Sequence, residues 1–297
     1  MRSAEGREGA ASQKDAAMRS VLRLAAATAL VAAGACNTSI TASTPGPGAA
    51  PYVYVVDDGN GTVAAYAADG TRTAPFIGGL GNPIGLAVDA AGNLHVTDDA
   101  DNTVRTFDSA GNRQAPTIAA GVNAPTGIAV DAAGKLYVAN AGTAGTVTTY
   151  GASGARALPT ISGFELPVGV AVDATGKIYV VDQTAQAVRT YTAAGTPANP
   201  TITSGLSVPS GIAVDGSGKI YVANSGNGTI TTYTSLGVRT QPTIGGLNAP
   251  TGIAVDAAGN IVVANTGNGA VWTYSPSGVR IPPTISSLNR PTGVAVR

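Results

Sequence analysis

The chain has 297 residues, 40 of them glycine, and only 11% are charged, against about 25% in ordinary soluble domains. Such a composition argues against a helical bundle, which would be rich in Leu, Glu and Lys, and for an all-β protein with many tight turns. Basic and acidic residues balance at 17 each, so there is little electrostatic pull on nucleic acid or an anionic membrane surface.

The first segment reads as a leader. Met18-Arg19-Ser20-Val21-Leu22-Arg23 is a positively charged start. The uncharged run Leu24 to Ala35 follows, 12 residues long. That length suits a secretory signal of about 7–15 apolar residues and is too short to span a bilayer permanently. Residues 1–17 lack such a pattern, so translation is expected to begin at Met18. The run closes with Ala33-Gly34-Ala35-Cys36, around the chain's single cysteine. This string resembles the lipobox of bacterial lipoproteins, although the usual leucine three places before the cysteine is missing. The resemblance implies cleavage after residue 35 and acylation of Cys36. Asn37, in place of Asp, implies the outer membrane; ordinary secretion to the periplasm or medium is the other reading. Residues 36–50 then form the lipidated cysteine and a Thr/Ser/Pro/Gly tether. Five basic and three acidic residues lie in 1–35, leaving 12 and 14.

From residue 51 onward the chain repeats. Pro83-Ile84-Gly85-Leu86-Ala87-Val88-Asp89 recurs from Pro125, Pro167, Pro209 and Pro250, and a sixth copy runs from Pro291 to Val296. The spacing is 41 or 42 residues. Each unit parses into four short strands rich in β-branched and aromatic residues, separated by Gly, Asn, Asp and Ser. Strand a is the Gly-Ile-Ala-Val string. Strand b is of the type Lys135-Leu136-Tyr137-Val138-Ala139, strand c of the type Thr229 to Tyr233, and strand d a short Pro242-Thr243-Ile244 piece. Four strands in about 42 residues match one propeller blade. Helical repeats are excluded because no helical spacing of apolar residues is present, and leucine-rich repeats because their period is about 20–29 residues. Trp272, followed by Thr273, is the only tryptophan, which excludes a Trp-Asp signature.

The ends decide between a ring and an open array. Tyr52 to Asp57 aligns with strand b, Thr62 to Tyr66 with c, and Ala74 to Ile77 with d; the missing strand a is supplied at 291–297. The expectation is an all-β, six-bladed β-propeller over residues 51–297, closed by N- and C-terminal strands sharing one blade, which removes exposed sheet edges. The recurring Gly-Ile-Ala-Val-Asp-Ala-Ala-Gly-Lys-Ile-Tyr-Val-Ala-Asn-Ser-Gly-Asn-Gly-Thr-Ile grammar resembles the NHL repeat. Similar six-bladed rings occur in gluconolactonase-like and streptogramin-lyase-like families, so the fold does not choose a function.

Two faces follow from the strand order. The a–b turns carry Asp89, Asp131, Asp173, Asp215 and Asp256, expected as turn-makers that bond their own backbone. On the other face, Asp57, Asp98, Asn140, Asp182, Asn224 and Asn265 end the b strands and form a candidate polar binding ring. The alternative is that each closes its own loop. Asn123, Glu165, Ser207, Asn248 and Asn289 stand two places before the strand-a proline.

Catalysis has little to draw on. His95, the sole histidine, replaces a strand-b tyrosine and is expected to be a strand residue. Asp98-Asp99-Ala100-Asp101-Asn102 lacks the bidentate Glu of a calcium loop. Trp272 is expected to pack between blades. The gluconolactonase-like resemblance implies one enzymatic alternative: Asn123, Glu165 and Asn248, with Asp57, Asp98 or Asp182, around Ca2+ or another divalent cation. The blades look uniform, with no distinctive polar cluster. The main expectation is a cofactor-free, monomeric binding or scaffold module at the cell envelope, held to the membrane only by its lipid. Its partner would be a protein or glycan rather than nucleic acid.

Overall fold

A computed structural model describes residues 52–297; the leader, Cys36 and the tether lie outside the described residues. Within them the strands form six four-stranded antiparallel sheets. Blade 1 joins Pro291–Val296 (strand a) to Val53–Asp57 (b), Thr62–Tyr66 (c) and Arg72–Ile77 (d). The other five are consecutive, beginning at Pro83, Pro125, Pro167, Pro209 and Pro250. Closure is direct: Val53 pairs with Val296, Tyr54 with Ala295 and Val55 with Val294.

Burial follows strand position. Strand b is buried at all five positions in every blade, for example Ile220–Asn224 and Leu94–Asp98, because neighbouring blades cover both its faces. The sequence answers with branched and aromatic residues on both sides of the strand. Strand d lies at the rim and alternates instead: in Arg239–Ile244 only Pro242 and Ile244 point inward, the period-2 pattern of a half-buried strand. It is also longer than the Pro-Thr-Ile piece expected, since it begins at the arginine of the c–d turn.

At the axis each strand a meets the next one at a glycine. A Cβ on Gly85 would lie 2.3 Å from the Thr126 carbonyl oxygen, on Gly211 2.1 Å from that of Thr251, and on Gly252 2.1 Å from that of Thr292. Gly127, Gly169 and Gly293 meet Val168, Ser210 and Ile84 at 2.8, 2.9 and 2.7 Å. The contact from Gly293 in blade 1 to Ile84 in blade 2 completes the ring through the shared blade.

A polar bond accompanies each junction. Thr97 donates to the Thr126 carbonyl (2.7 Å), Thr126 to Pro167 (3.0 Å) and Gln183 to Pro209 (3.1 Å). Ser210 donates to Pro250 (2.8 Å), Thr266 to Pro291 (2.6 Å) and Thr292 to Ile84 (3.1 Å). The donor changes identity and position from blade to blade, but the acceptor is always a strand-a carbonyl of the following blade.

Removing residues 291–297 exposes Val55 and strips two junctions, blade 6 to 1 and blade 1 to 2, of both contacts; a sharply lowered melting temperature is expected. Gly252→Ala is expected to cost about 1–3 kcal/mol by overpacking. Gly216→Ala, in a turn with nothing within 4 Å of the added Cβ, should leave urea denaturation nearly unchanged.

Candidate functional site

The d–a and b–c loops of all six blades surround an axial channel of about 820 Å³. Its polar lining includes Asp58, Asn82, Asp99, Asn123, Gln183 and Arg290. Arg290 forms an ion pair with Asp58 across the shared blade, and Asn82 donates to Asp99 (3.1 Å). The Asp58 charge is thus paired by Arg290, the Asp99 carboxylate is met by an amide, and the remaining polar groups are amides and hydroxyls.

The b-strand ring does not line this channel. Asp57, Asp98, Asn140, Asp182, Asn224 and Asn265 are each at most 5% exposed, and they accept backbone N–H bonds from their own d–a loop. Asp98 takes Gly81 and Asn82 (both 2.9 Å), and Asp182 takes Glu165 (3.2 Å) and Leu166 (3.0 Å). Asn140 takes Asn123, Asn224 takes Ser207, Asn265 takes Asn248 and Asp57 takes Asn289. The loop-closing alternative describes them. The residue one place later faces the channel: Asp58, Asp99, Ala141, Gln183, Ser225 and Thr266. Strand alternation is the signal that could have found them, since one step along a strand moves the side chain to the other side.

The second partner of each ring residue depends on its charge. Where blade 2 has Asp98 and blade 4 has Asp182, the third residue of strand c is an arginine: Arg105 lies 3.3 Å from Asp98 and Arg189 3.2 Å from Asp182. Where blades 3 and 5 have Asn140 and Asn224, that residue is a threonine, reached at 2.9 and 3.1 Å. In blade 1, Asn60 donates to Asp57 (2.8 Å); burial pushes the Asp57 carboxyl above its ordinary range, with Asn289 and Asn60 opposing. Blade 6 breaks the rule. Trp272 takes the position, and the buried Nδ2 of Asn265 has no hydrogen-bond partner.

The alternative metal set is not brought together. Asp182 is spent on two N–H groups and Arg189. Glu165 and Asn248 are exposed and lie outside the channel lining, and only Asn123 of the four contributes to it. Among the described residues no three His, Cys, Asp or Glu side chains are grouped for a metal ion. The acidic run from Asp98 is likewise internally bonded, with Asp101 paired to Arg105. Trp272 packs on blades 5 and 6 with the Arg280 guanidinium 3.8 Å over its ring, as a packing residue would.

On the opposite face the a–b aspartates are turn-makers. Oδ1 of Asp215 accepts Ser217 (2.9 Å) and Lys219 (3.0 Å) N–H, and Oδ2 takes the Tyr221 hydroxyl (3.0 Å). Asp131 and Asp173 do the same with Tyr137 and Tyr179. Burial, then the bond to Asp131 and its charge, push the Tyr137 hydroxyl up to about 12. His95 substitutes for that tyrosine: Nε2 lies 3.3 Å from Asp89 and Nδ1 3.0 Å from the Thr106 hydroxyl. Burial lowers its pKa, with Asp89 opposing.

Fold and channel together define a closed six-bladed β-propeller. Two stretches of it, residues 206–233 and 247–274, match the NHL repeat, so the chain carries NHL repeats. No curated protein matches it in sequence. Among solved structures it is similar to a chain of a nidogen/laminin complex, at 17% identity and TM-score 0.68, over 82% of this chain and 97% of that one. A protein of unknown function from Bacteroides caccae gives 14% identity and TM-score 0.70, over 84% and 100%. Virginiamycin B lyase from Staphylococcus aureus gives 15% and 0.56, over 71% and 73%. At these identities the likeness is one of fold.

Asn265→Asp places a buried carboxylate without its arginine and is expected to cost about 3 kcal/mol. Adding Trp272→Arg should recover part of it, giving a coupling above about 0.5 kcal/mol in a double-mutant cycle of urea melts. For His95, whose folded pKa is depressed, protons bind the unfolded chain more tightly. Stability is therefore full above about pH 6.5 and falls as pH drops from there toward the folded pKa. His95→Tyr should abolish that part of the acid-side loss, measured as unfolding free energy from about pH 8 to 5.

Proposed function

We propose that this propeller is a non-catalytic binding module that engages a protein or glycan through its channel mouth. The observation that supports this is the composition of that mouth. All six blades feed one opening of amides, hydroxyls, the Asp99 carboxylate and a mutually neutralised ion pair, without a nucleophile and base placed together for reaction. The only imidazole, on His95, belongs to the other face. A similar fold takes part in the nidogen/laminin complex, which is in keeping with a binding role. The leader ending at residue 35 and the lipobox-like Cys36 support export and anchoring at a bacterial envelope, with the tether holding the ring off the membrane.

Asn123→Arg adds bulk and charge to an exposed channel-lining loop. Immobilised protein is expected to retain an envelope component that this variant loses and that Ala174→Arg, in an exposed turn of the opposite face, keeps. Equal retention by both variants would place binding elsewhere. Fatty-acid labelling of the wild type and not of Cys36→Ala is expected for the anchor. A melting temperature indifferent to calcium and EDTA is expected for a module without an axial cation.

A further inference from the structure

Blade 2 departs from the repeat at four positions that meet in one cleft. The residue before strand b is Lys135, Lys177 or Lys219 in blades 3–5, but Asn93 here. The second residue of strand b is tyrosine in four blades, but His95 here. The first residue of the c–d turn is Ala67, Gly151, Thr192, Thr234 or Ser275 elsewhere, but Asp108 here. The second residue of strand d is Thr, Ala or Ile elsewhere, but Gln114 here. All four line a cavity of about 470 Å³ between blades 2 and 3, on the face opposite the channel mouth. The uniform blades expected from the sequence are therefore not uniform at this point.

Two of the changes make the space, and two furnish it. Asn93 and His95 are shorter than the lysine and tyrosine they replace. Blade 6 has the same pair of shortenings, Asn260 and Val262, but there Tyr52 from blade 1 fills in and donates to Asp256 at 2.7 Å. In blade 3 the residue aligned with Tyr52 is Lys135, whose ammonium reaches the Leu158 carbonyl (3.5 Å) and does not line the cavity. Of the two blades with both shortenings, blade 2 is the one whose cleft is not filled by such a side chain. Blade 2 contributes Asp89, Asp108, Gln114 and the Thr106 hydroxyl together with the apolar Pro116 and Ile118; Leu136 adds apolar surface from blade 3. Hydrogen bonds from Asn112 and neighbouring groups hold Asp108 below the usual carboxylate range. Asp89 is lowered too: burial opposes this, but bonds from Asn93 and His95 outweigh it. Burial lowers the pKa of the imidazole, with Asp89 opposing. Among the described residues no lysine or arginine lines the cavity, so its two carboxylates are met by the amides of Asn93, Asn112 and Gln114 and by the His95 ring rather than by a lysine or arginine.

We propose that the cleft between blades 2 and 3 binds a protonated amine carried on an apolar stem, such as an alkylammonium group. The ammonium is held against Asp89 and Asp108, and the stem lies on Pro116, Ile118 and Leu136. This site is separate from the channel mouth and does not depend on what binds there.

The single histidine gives a private reporter. Titrating the tag-free chain with n-butylammonium chloride should move the His95 ring resonances along a saturable curve in the millimolar range, while 1-butanol leaves them in place. Asp108→Ser, which installs the residue blade 6 uses, should weaken binding at least about tenfold without changing the wild-type melting transition. Asn93→Lys with His95→Tyr refills the cleft and should remove the heat of butylammonium binding in calorimetry. Should Asp108→Ser fail to fold, added sodium chloride replaces it: binding that weakens with salt supports the carboxylate contact. No saturable shift, an equal response to butanol, unchanged affinity in Asp108→Ser, or salt-independent binding would each overturn the proposal.

Discussion

The ring rests on an absence of side chain at its centre. Six strands converge on one axis, and at each junction the backbone of one approaches the next too closely for a methyl group. The carbonyls facing Gly85, Gly211 and Gly252 are 2.1–2.3 Å from where a Cβ would sit. No rotamer relieves such a clash, because the obstacle is backbone on both sides. Glycine lowers the intrinsic preference for strand by leaving a flexible backbone, and the cost is offset by what the approach permits. Each strand-a carbonyl comes within reach of a side-chain donor from the preceding blade. The number of blades follows from the number of such junctions, and the shared blade contributes one glycine and one donor like any other.

That constraint explains why so many polar groups do structural work. A propeller loop runs between two buried strands, and its N–H groups would be desolvated unless something accepted them. The ring from Asp57 to Asn265 does this on one face, and the turn aspartates from Asp89 to Asp256 do it on the other. An Asp or Asn at the end of each b strand looks like a binding motif in a sequence because it recurs, yet recurrence is what a closure device needs. A ligand site built by a ring of unlike blades is marked by the opposite, a residue that changes where its neighbours in the repeat do not.

Much of the architecture was legible for the same reason. The displaced strand a at Pro291–Val296 and the orphan strand b at Val53–Asp57 announced a shared blade without any geometry. So did the role of the a–b aspartates and the substitution of His95 for tyrosine. The site was legible only to the wrong side of a strand: Asp57, Asp98 and Asp182 carry the eye, whereas Asp58, Asp99 and Gln183 reach the channel. The alternation of strand b carries that difference, because one step along the chain turns the side chain to the other side. The cleft of blade 2 was missed because its four departures fall on different strands and turns of the blade and each is mild alone. Only the fold brings Asn93, His95, Asp108 and Gln114 into one cavity.

The ring residues also show how the repeat tolerates change. Replacing Asn by Asp buries a charge, and an unpaired one would be costly. In blades 2 and 4 the arginine of strand c arrives with the aspartate, and in blades 3 and 5 a threonine accompanies the asparagine. The two positions are two rungs apart across the b–c pair, Asp98 opposite Thr103 and Arg105 opposite Val96, and in blades 3 and 5 the threonine hydroxyl meets the asparagine amide across the same separation. Each blade therefore balances its own polar core, and the balance need not be shared with its neighbours. This independence is what allows one blade to acquire a new polar cluster on its outer turns without disturbing the axis. In blade 6 the exchange is incomplete, since Trp272 contributes packing under Arg280 where Asn265 would need an oxygen. An aromatic ring there gains apolar burial and leaves an amide unmet, a trade that only a blade already fixed by Gly252, Thr266 and Tyr52 can sustain.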